Sequence, residues 1–427
     1  MNVGAAEVDI TPDFEVELCG FALREQPCAG VLDPIAARCI YLQDGSQRLL
    51  WIVADVLALE GQFVVDFRAW AQRELQLKPH QVLLAATHTH AAPSTINLTA
   101  AGRRSDRFVT LLRERIERIA REAVASARPC DVVSASGRRD LAIDRRNQPS
   151  RHVDPTVWSV AFREPNGGPF IAAVLNYAMH PVALGHQERR ISPDWCGGAG
   201  ASLARSLSTP DAKPPVVLVT NGACGNLNPP FHGASRDLVF SWGKSVADAI
   251  AESLLAASPA SEPKLRVNAS RIPIAMDWHD PDGVDRIAEH MIYVLAPQTT
   301  WPGQFVQAAQ TWRETLMPLV VTGSGKSHDI EIQLVRIGDL TVVAVNGEMF
   351  SRFTTDLRRT LNNDRLFVVG YANAAFGYIP TREAYAEGGY EVDTAHFFYN
   401  SFRPQAGALE MLCERAADLV RSLPLSR

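Results

Sequence analysis

Apolar residues along this chain gather into short β-branched runs separated by amphipathic stretches. Residues 49–55 and 81–86 read as buried strands, because a short unbroken apolar run suits a strand covered on both faces. Residues 61–76 between them carry helical spacing, and 105–127 form a longer helix with Leu111, Leu112, Ile116 and Ile119 on one face. Further strands are predicted at 170–178, 215–220, 329–337, 340–345 and 366–371. Helices are predicted near 197–208, 236–256, 302–316, 348–361 and 405–422. Strands alternating with helices predict an α/β fold. Gly338-Asp339 joins two adjacent strands as a hairpin, so the core sheet is expected to be mixed and flanked by helices. No internal repeat is apparent. The chain reads as a single domain over 1–427, the Ser/Pro-rich stretch 257–264 being the candidate boundary within it.

Composition narrows the classes of function. The 427 residues are 46% hydrophobic and 21% charged, enough for a substantial core. Lys+Arg 42 against Asp+Glu 47 leaves a net charge of -5, and the basic pairs Arg138-Arg139 and Arg145-Arg146 extend into no longer run. Nucleic-acid binding therefore has little electrostatic support. No apolar stretch approaches the roughly 18–20 residues needed to span a bilayer. The N-terminus has neither a basic nor an apolar signal region. Seven scattered cysteines without a CxxC pair fit reduced thiols. These features predict a cytoplasmic protein acting on a small-molecule substrate, its oligomeric state left open.

Chemistry-bearing residues recur where strands end. Thr87-His88-Thr89-His90-Ala91-Ala92-Pro93 directly follows a strand, and two histidines at i, i+2 in extended backbone point to one side. His180 follows the strand at 170–178. The strand at 215–220 runs into Asn221-Gly222-Ala223-Cys224-Gly225-Asn226-Leu227-Asn228-Pro229, a loop able to turn tightly and offer amide donors. Val345-Asn346-Gly347 leads to Glu348, expected to open a helix. Each has a plain structural reading: unligated histidines, a tight turn, a carboxylate favoured by a helix dipole. A Cys224 nucleophile lacks a local base. The recurrence of His, His, amide and Glu at strand ends is what points to one site, since loops converge there in α/β sheets.

In this order the segments resemble the neutral/alkaline non-lysosomal ceramidase family. The likeness runs over most of the chain, through Gly-x-x-x-x-Asp-Ile-Thr (4–11), Thr-His-Thr-His-x-x-Pro (87–93), the strand-end His180, the Asn/Gly loop, Gly347-Glu348 and Gly377-Tyr378-Ile379-Pro380-Thr381. The resemblance implies one Zn2+ held by His88, His180, Glu348 and Tyr378. It also implies that His90 contacts the reacting carbonyl and that Arg145 binds substrate. Asn228 stands where the family carries a serine, and an amide forms no acyl-enzyme. Ala386 replaces a second family tyrosine, leaving that role to Tyr385 or Tyr390. The ceramidases' C-terminal immunoglobulin-like domain has no counterpart in this sequence.

The resulting expectation is a zinc-dependent amidohydrolase that uses activated water on a linear amide in a small soluble substrate rather than ceramide. Asn228 would orient substrate or water, and His90 or a tyrosine of the 385–390 loop, Tyr385 or Tyr390, would assist proton transfer. An esterase or lactonase on the same site, a non-catalytic binding relative, and a metal-dependent lyase or isomerase are the alternatives.

Overall fold

Three mixed sheets frame the chain, and each repeats one plan: three consecutive antiparallel strands, then a fourth added parallel to the third. The first sheet holds Asn2–Asp9, Ala36–Asp44, Gln47–Ala54 and Val82–Ala86, with the short Arg128–Pro129 on its far edge. The second holds Asp131–Arg138, Thr156–Arg163, Phe170–Tyr177 and Val216–Asn221. The third holds Leu265–Ala275, Ser327–Ile337, Leu340–Val345 and Leu366–Val369. The structure, a computed structural model, describes residues 1–423 apart from 25, 147 and 262.

A parallel pair needs a crossover, and in each sheet a helix supplies it: Gly61–Leu75, Trp195–Leu207 and Arg352–Leu361. A second helix follows each fourth strand: Asp106–Ala125, Arg236–Ala256 and Ala408–Ser422. Thus a sequence without visible repeats folds into three like units. The third unit also carries a helical excursion, Pro281–His290 and Pro302–Val321, between its first two strands.

Alternation along the strands explains their apolar runs. Leu49, Trp51 and Val53 enter a core shared by all three sheets, whereas Leu50, Ile52 and Ala54 face helices. Leu340, Val342 and Ala344 join the same shared core, and Val343 and Val345 face the C-terminal helices. Strands buried on both faces lose their polar alternation. The expected hairpin is present, with Ile337 paired to Leu340 around Gly338-Asp339.

One expected element differs. The helix foreseen from 348 starts at Arg352, and Glu348–Met349 is instead a two-residue strand parallel to Tyr378–Ile379. Glu348 is therefore positioned by β-pairing, not by a helix dipole. The 257–264 stretch, described apart from 262, links Arg236–Ala256 to Leu265–Ala275, and Ala260 N donates to Val132 O at 2.9 Å. Among the described residues no helix is long and apolar enough to cross a membrane.

Helices Trp195–Leu207 and Arg236–Ala256 meet closely at Gly243, where an added Cβ would lie 2.1 Å from the Trp195 carbonyl oxygen. Gly243→Ala is expected to cost about 1–3 kcal/mol through overpacking. A urea titration should show a lower midpoint at unchanged slope. An unchanged midpoint would mean the helices separate freely.

Candidate metal centre

The carboxyl ends of the three parallel strand pairs converge, and all six ends supply an atom. The first sheet gives the Leu57 carbonyl and His88. The second gives His180 and Cys224, and the third gives Glu348 and Tyr371. Asn221 clamps two of these ends, donating through Nδ2 to Thr87 O (2.7 Å) and accepting from Met179 N at Oδ1 (3.4 Å). The Asn/Gly loop passes close to Glu348 because Gly225 lacks a side chain: a Cβ there would lie 2.4 Å from the Glu348 carbonyl oxygen.

Second partners fix the ring orientations. His88 Nδ1 lies 2.7 Å from Leu57 O, and His180 Nδ1 lies 2.7 Å from Cys224 O and 3.1 Å from Leu227 O. A carbonyl only accepts, so both Nδ1 atoms carry the proton and both Nε2 atoms present lone pairs inward. Burial, partly opposed by Glu348, pushes the His180 imidazole down to about 4, which keeps it neutral. The outcome is acceptors facing acceptors. Glu348 Oε2 is 3.1 Å from His180 Nε2 and 3.5 Å from His88 Nε2. His88, His90 and His180 each offer one nitrogen within 4.8 Å of the others. Such a donor set fits a divalent cation, and carbonyl-anchored histidines are the usual support of a ligating imidazole.

The two motif histidines meet by a route other than strand alternation. Their strand ends at Ala86, and His88 takes the left-handed region (φ 67°). That conformation is held by His88 N donating to Val56 O at 3.0 Å and by stacking on Tyr371, ring centroids 3.8 Å apart. His90 Nε2 then lies 3.4 Å from His88 Nε2. Burial, reinforced by His88 and His180, holds His90 well below the usual imidazole range.

Arg145 stands beside this group. Its Nε donates to Glu391 Oε1 (2.7 Å), its Nη1 to Asn228 Oδ1 (3.2 Å), and its Nη2 to Gly225 O (2.9 Å) and the Tyr378 hydroxyl (3.1 Å). Asn228 also meets His232 Nε2 at 3.0 Å, so it sits behind Arg145 and His232, which line the cavity. Burial opposes the Glu391 charge, but Arg145 and Arg146 hold that carboxyl below its usual range. Tyr385 is not brought to the centre. Its hydroxyl donates to Pro404 O at 2.7 Å and its ring packs with the C-terminal core, while Tyr390 lines the cavity. The sequence reading also missed Tyr399, whose hydroxyl donates to Glu348 Oε1, and Tyr371. Tyr371 ends a predicted strand, so the strand-end rule would have found it.

His88 and His90 open onto a cavity of about 280 Å³. Phe21, Leu57, Leu98, Val182, Trp301 and Phe398 are among its apolar lining, and Arg145, His186, His232, Tyr378 and Tyr399 among its polar lining.

Fold and centre together define an α/β domain of three like sheets with a histidine–carboxylate cluster at their joined strand ends. No protein-family model matches the chain. The neutral ceramidase of Pseudomonas aeruginosa is 24% identical over 500 residues, covering 99% of this chain and 72% of that protein. The neutral ceramidase of Mycobacterium tuberculosis is 24% identical over 474 residues, covering 92% and 73%. Among solved structures, neutral ceramidase from Pseudomonas aeruginosa matches with a TM-score of 0.73 at 20% identity, over 100% of this chain and 75% of that one. A ceramidase complexed with C2 matches at 0.75 and 20%, over 100% and 76%. The chain has a neutral-ceramidase-like fold.

Proposed function

We propose that this chain is a metal-dependent amidohydrolase cleaving a linear amide in a small substrate. The observation that carries the reading is the convergence of inward-facing imidazole nitrogens and one carboxylate beside a cavity lined by both apolar and polar side chains. His88, His180 and Glu348 would hold the ion, taken as zinc on the family resemblance, since such ligands also suit other divalent metals. Tyr378, which the resemblance adds to this set, holds its hydroxyl on Arg145.

When bound, such an ion polarises a carbonyl and lowers the pKa of water from about 15.7 to about 7. The chain's own residues do the rest. The apolar lining residues receive the acyl group and exclude water. Arg145, braced by Glu391 and Asn228, presents its guanidinium to the reacting carbonyl or the leaving group. His90, kept neutral by burial, accepts a proton at Nε2 and passes it to the departing amine. Asn228 cannot act as a nucleophile, which leaves water in that role. A cavity of about 280 Å³ suits a short acyl group better than a two-chain lipid. The core shared by the three sheets supports treating 1–427 as one domain, and seven cysteines without a disulfide support a cytoplasmic setting.

The test is a panel of short N-acyl amines beside lactones and aryl esters, assayed before chelation, after it, and after returning one equivalent of zinc. Amide turnover lost on chelation and restored by zinc is the expected result. Activity that survives complete metal removal contradicts the metal reading. Turnover of esters or lactones alone would reassign the substrate.

A further inference from the structure

We propose that Tyr371, rather than Tyr378, supplies the phenolic oxygen of the metal centre; this rests on the reading that His88, His180 and Glu348 share one ion. The Tyr371 hydroxyl lies 3.4 Å from His180 Nε2 and 3.5 Å from Glu348 Oε2. Both separations are long for an O–H···O or O–H···N bond, which for O–H···O clusters at about 2.7–2.8 Å. Both neighbours are acceptors, and one phenol proton cannot serve the two at once. Donors bound to one ion at about 2.0–2.2 Å in a tetrahedral arrangement lie about 3.3–3.6 Å apart. The separations His88–Glu348 (3.5 Å), Tyr371–His180 (3.4 Å) and Tyr371–Glu348 (3.5 Å) match that spacing, and His180–Glu348 is slightly shorter at 3.1 Å.

The backbone also aims this residue. Tyr371 sits in the left-handed region (φ 55°), an uncommon conformation for an aromatic residue and one that persists where the surroundings impose it. Its carbonyl accepts from Ala86 N at 3.2 Å, which ties the third sheet to the strand preceding His88. The ring lies against His88 with planes 21° apart, and Cys224 Sγ is 3.1 Å from the hydroxyl. Tyr371 therefore closes the protein side of the centre. Tyr378 and His90 instead line the cavity, Tyr378 with its hydroxyl on Arg145.

Iron(III) citrate loading gives a readout independent of catalysis, because a tyrosinate bound to iron(III) produces a visible charge-transfer band. The parent protein should take up one iron with the band present. Tyr371→Phe, which keeps the ring against His88, should bind iron without the band, and Tyr378→Phe should keep it. Chelator competition should show zinc affinity reduced about 10–100-fold in Tyr371→Phe, at least the loss typical of a group supporting a metal site, and unchanged in Tyr378→Phe. A band that persists in Tyr371→Phe, vanishes in Tyr378→Phe or is absent from iron-loaded parent overturns the assignment while leaving the metal site standing. Failure of the parent to bind either metal overturns both.

Discussion

His180→Ala is expected to yield protein without stoichiometric zinc and with hydrolysis reduced by more than the roughly 10–100-fold typical when an outer partner of a metal ligand is lost. His180 is fully buried, its Nδ1 proton is committed to two carbonyls, and its Nε2 faces Glu348 and the Tyr371 hydroxyl. His88→Ala should behave the same way, although its ligand comes from a different sheet. That shared phenotype separates a common ion from two unrelated structural histidines. Asn228→Ala, which removes a group behind Arg145, serves as the control and should keep its metal while losing rate. Metal content by elemental analysis, read beside melting temperature, decides the matter. Full zinc in both histidine variants would refute the ligand assignment.

The largest stability effect is expected at Glu391. Its carboxylate takes Arg145 on one oxygen and Arg146 on the other, each at 2.7 Å, with Glu391 and the Arg146 side chain each 4% exposed. Removing the carboxylate takes away the carboxylate partner of Arg145 and leaves the almost wholly buried Arg146 only the longer contact to Glu387 at 3.6 Å, among the described residues. Breaking such a pair costs about 3–5 kcal/mol, most of it the penalty of an uncompensated buried charge. Glu391→Ala should therefore unfold at markedly lower urea, and Glu391→Gln, which keeps hydrogen-bond acceptance, should lose less. Arg145 would lose the partner of its Nε, so KM should rise in the folded fraction. A midpoint within about 0.5 kcal/mol of the parent, the range of ordinary surface changes, would show that the three side chains do not form a closed unit.

The strands that carry chemistry were legible because they are covered on both faces. Gln47–Ala54, Val82–Ala86, Phe170–Tyr177, Val216–Asn221 and Leu340–Val345 each contain an unbroken apolar run, at 49–54, 82–86, 170–175, 216–219 and 342–345. Of their antiparallel partners, Ser327–Ile337 was legible and the others were not. Leu265–Ala275 carries Asn268, Ser270, Arg271 and Pro273, and Asp131–Arg138 ends in the polar Ser136-Gly137-Arg138, so neither shows a clean period. Missing those partners hid the threefold repetition, which resides in strand order and not in residue identity.

At the centre, His88, His90, His180 and Glu348 were legible by position after a strand. The way each is aimed was not. The left-handed backbone at His88 and the pairing of Glu348 with Tyr378 depend on long-range contacts that no local pattern encodes. Tyr399 and Glu391 come from an irregular segment, a π-turn at Tyr390–Thr394 and a short helix at Ala395–Phe398, where apolar periodicity gives no signal. Tyr385 was drawn in by proximity in sequence, whereas its hydroxyl is spent on the Pro404 carbonyl.

Diffraction from zinc-loaded crystals at the zinc absorption edge tests the centre most directly. One anomalous peak about 2.0–2.2 Å from His88 Nε2, His180 Nε2 and a Glu348 oxygen is the predicted result. A map with no peak among those atoms, or with zinc bound only elsewhere on the chain, would contradict it.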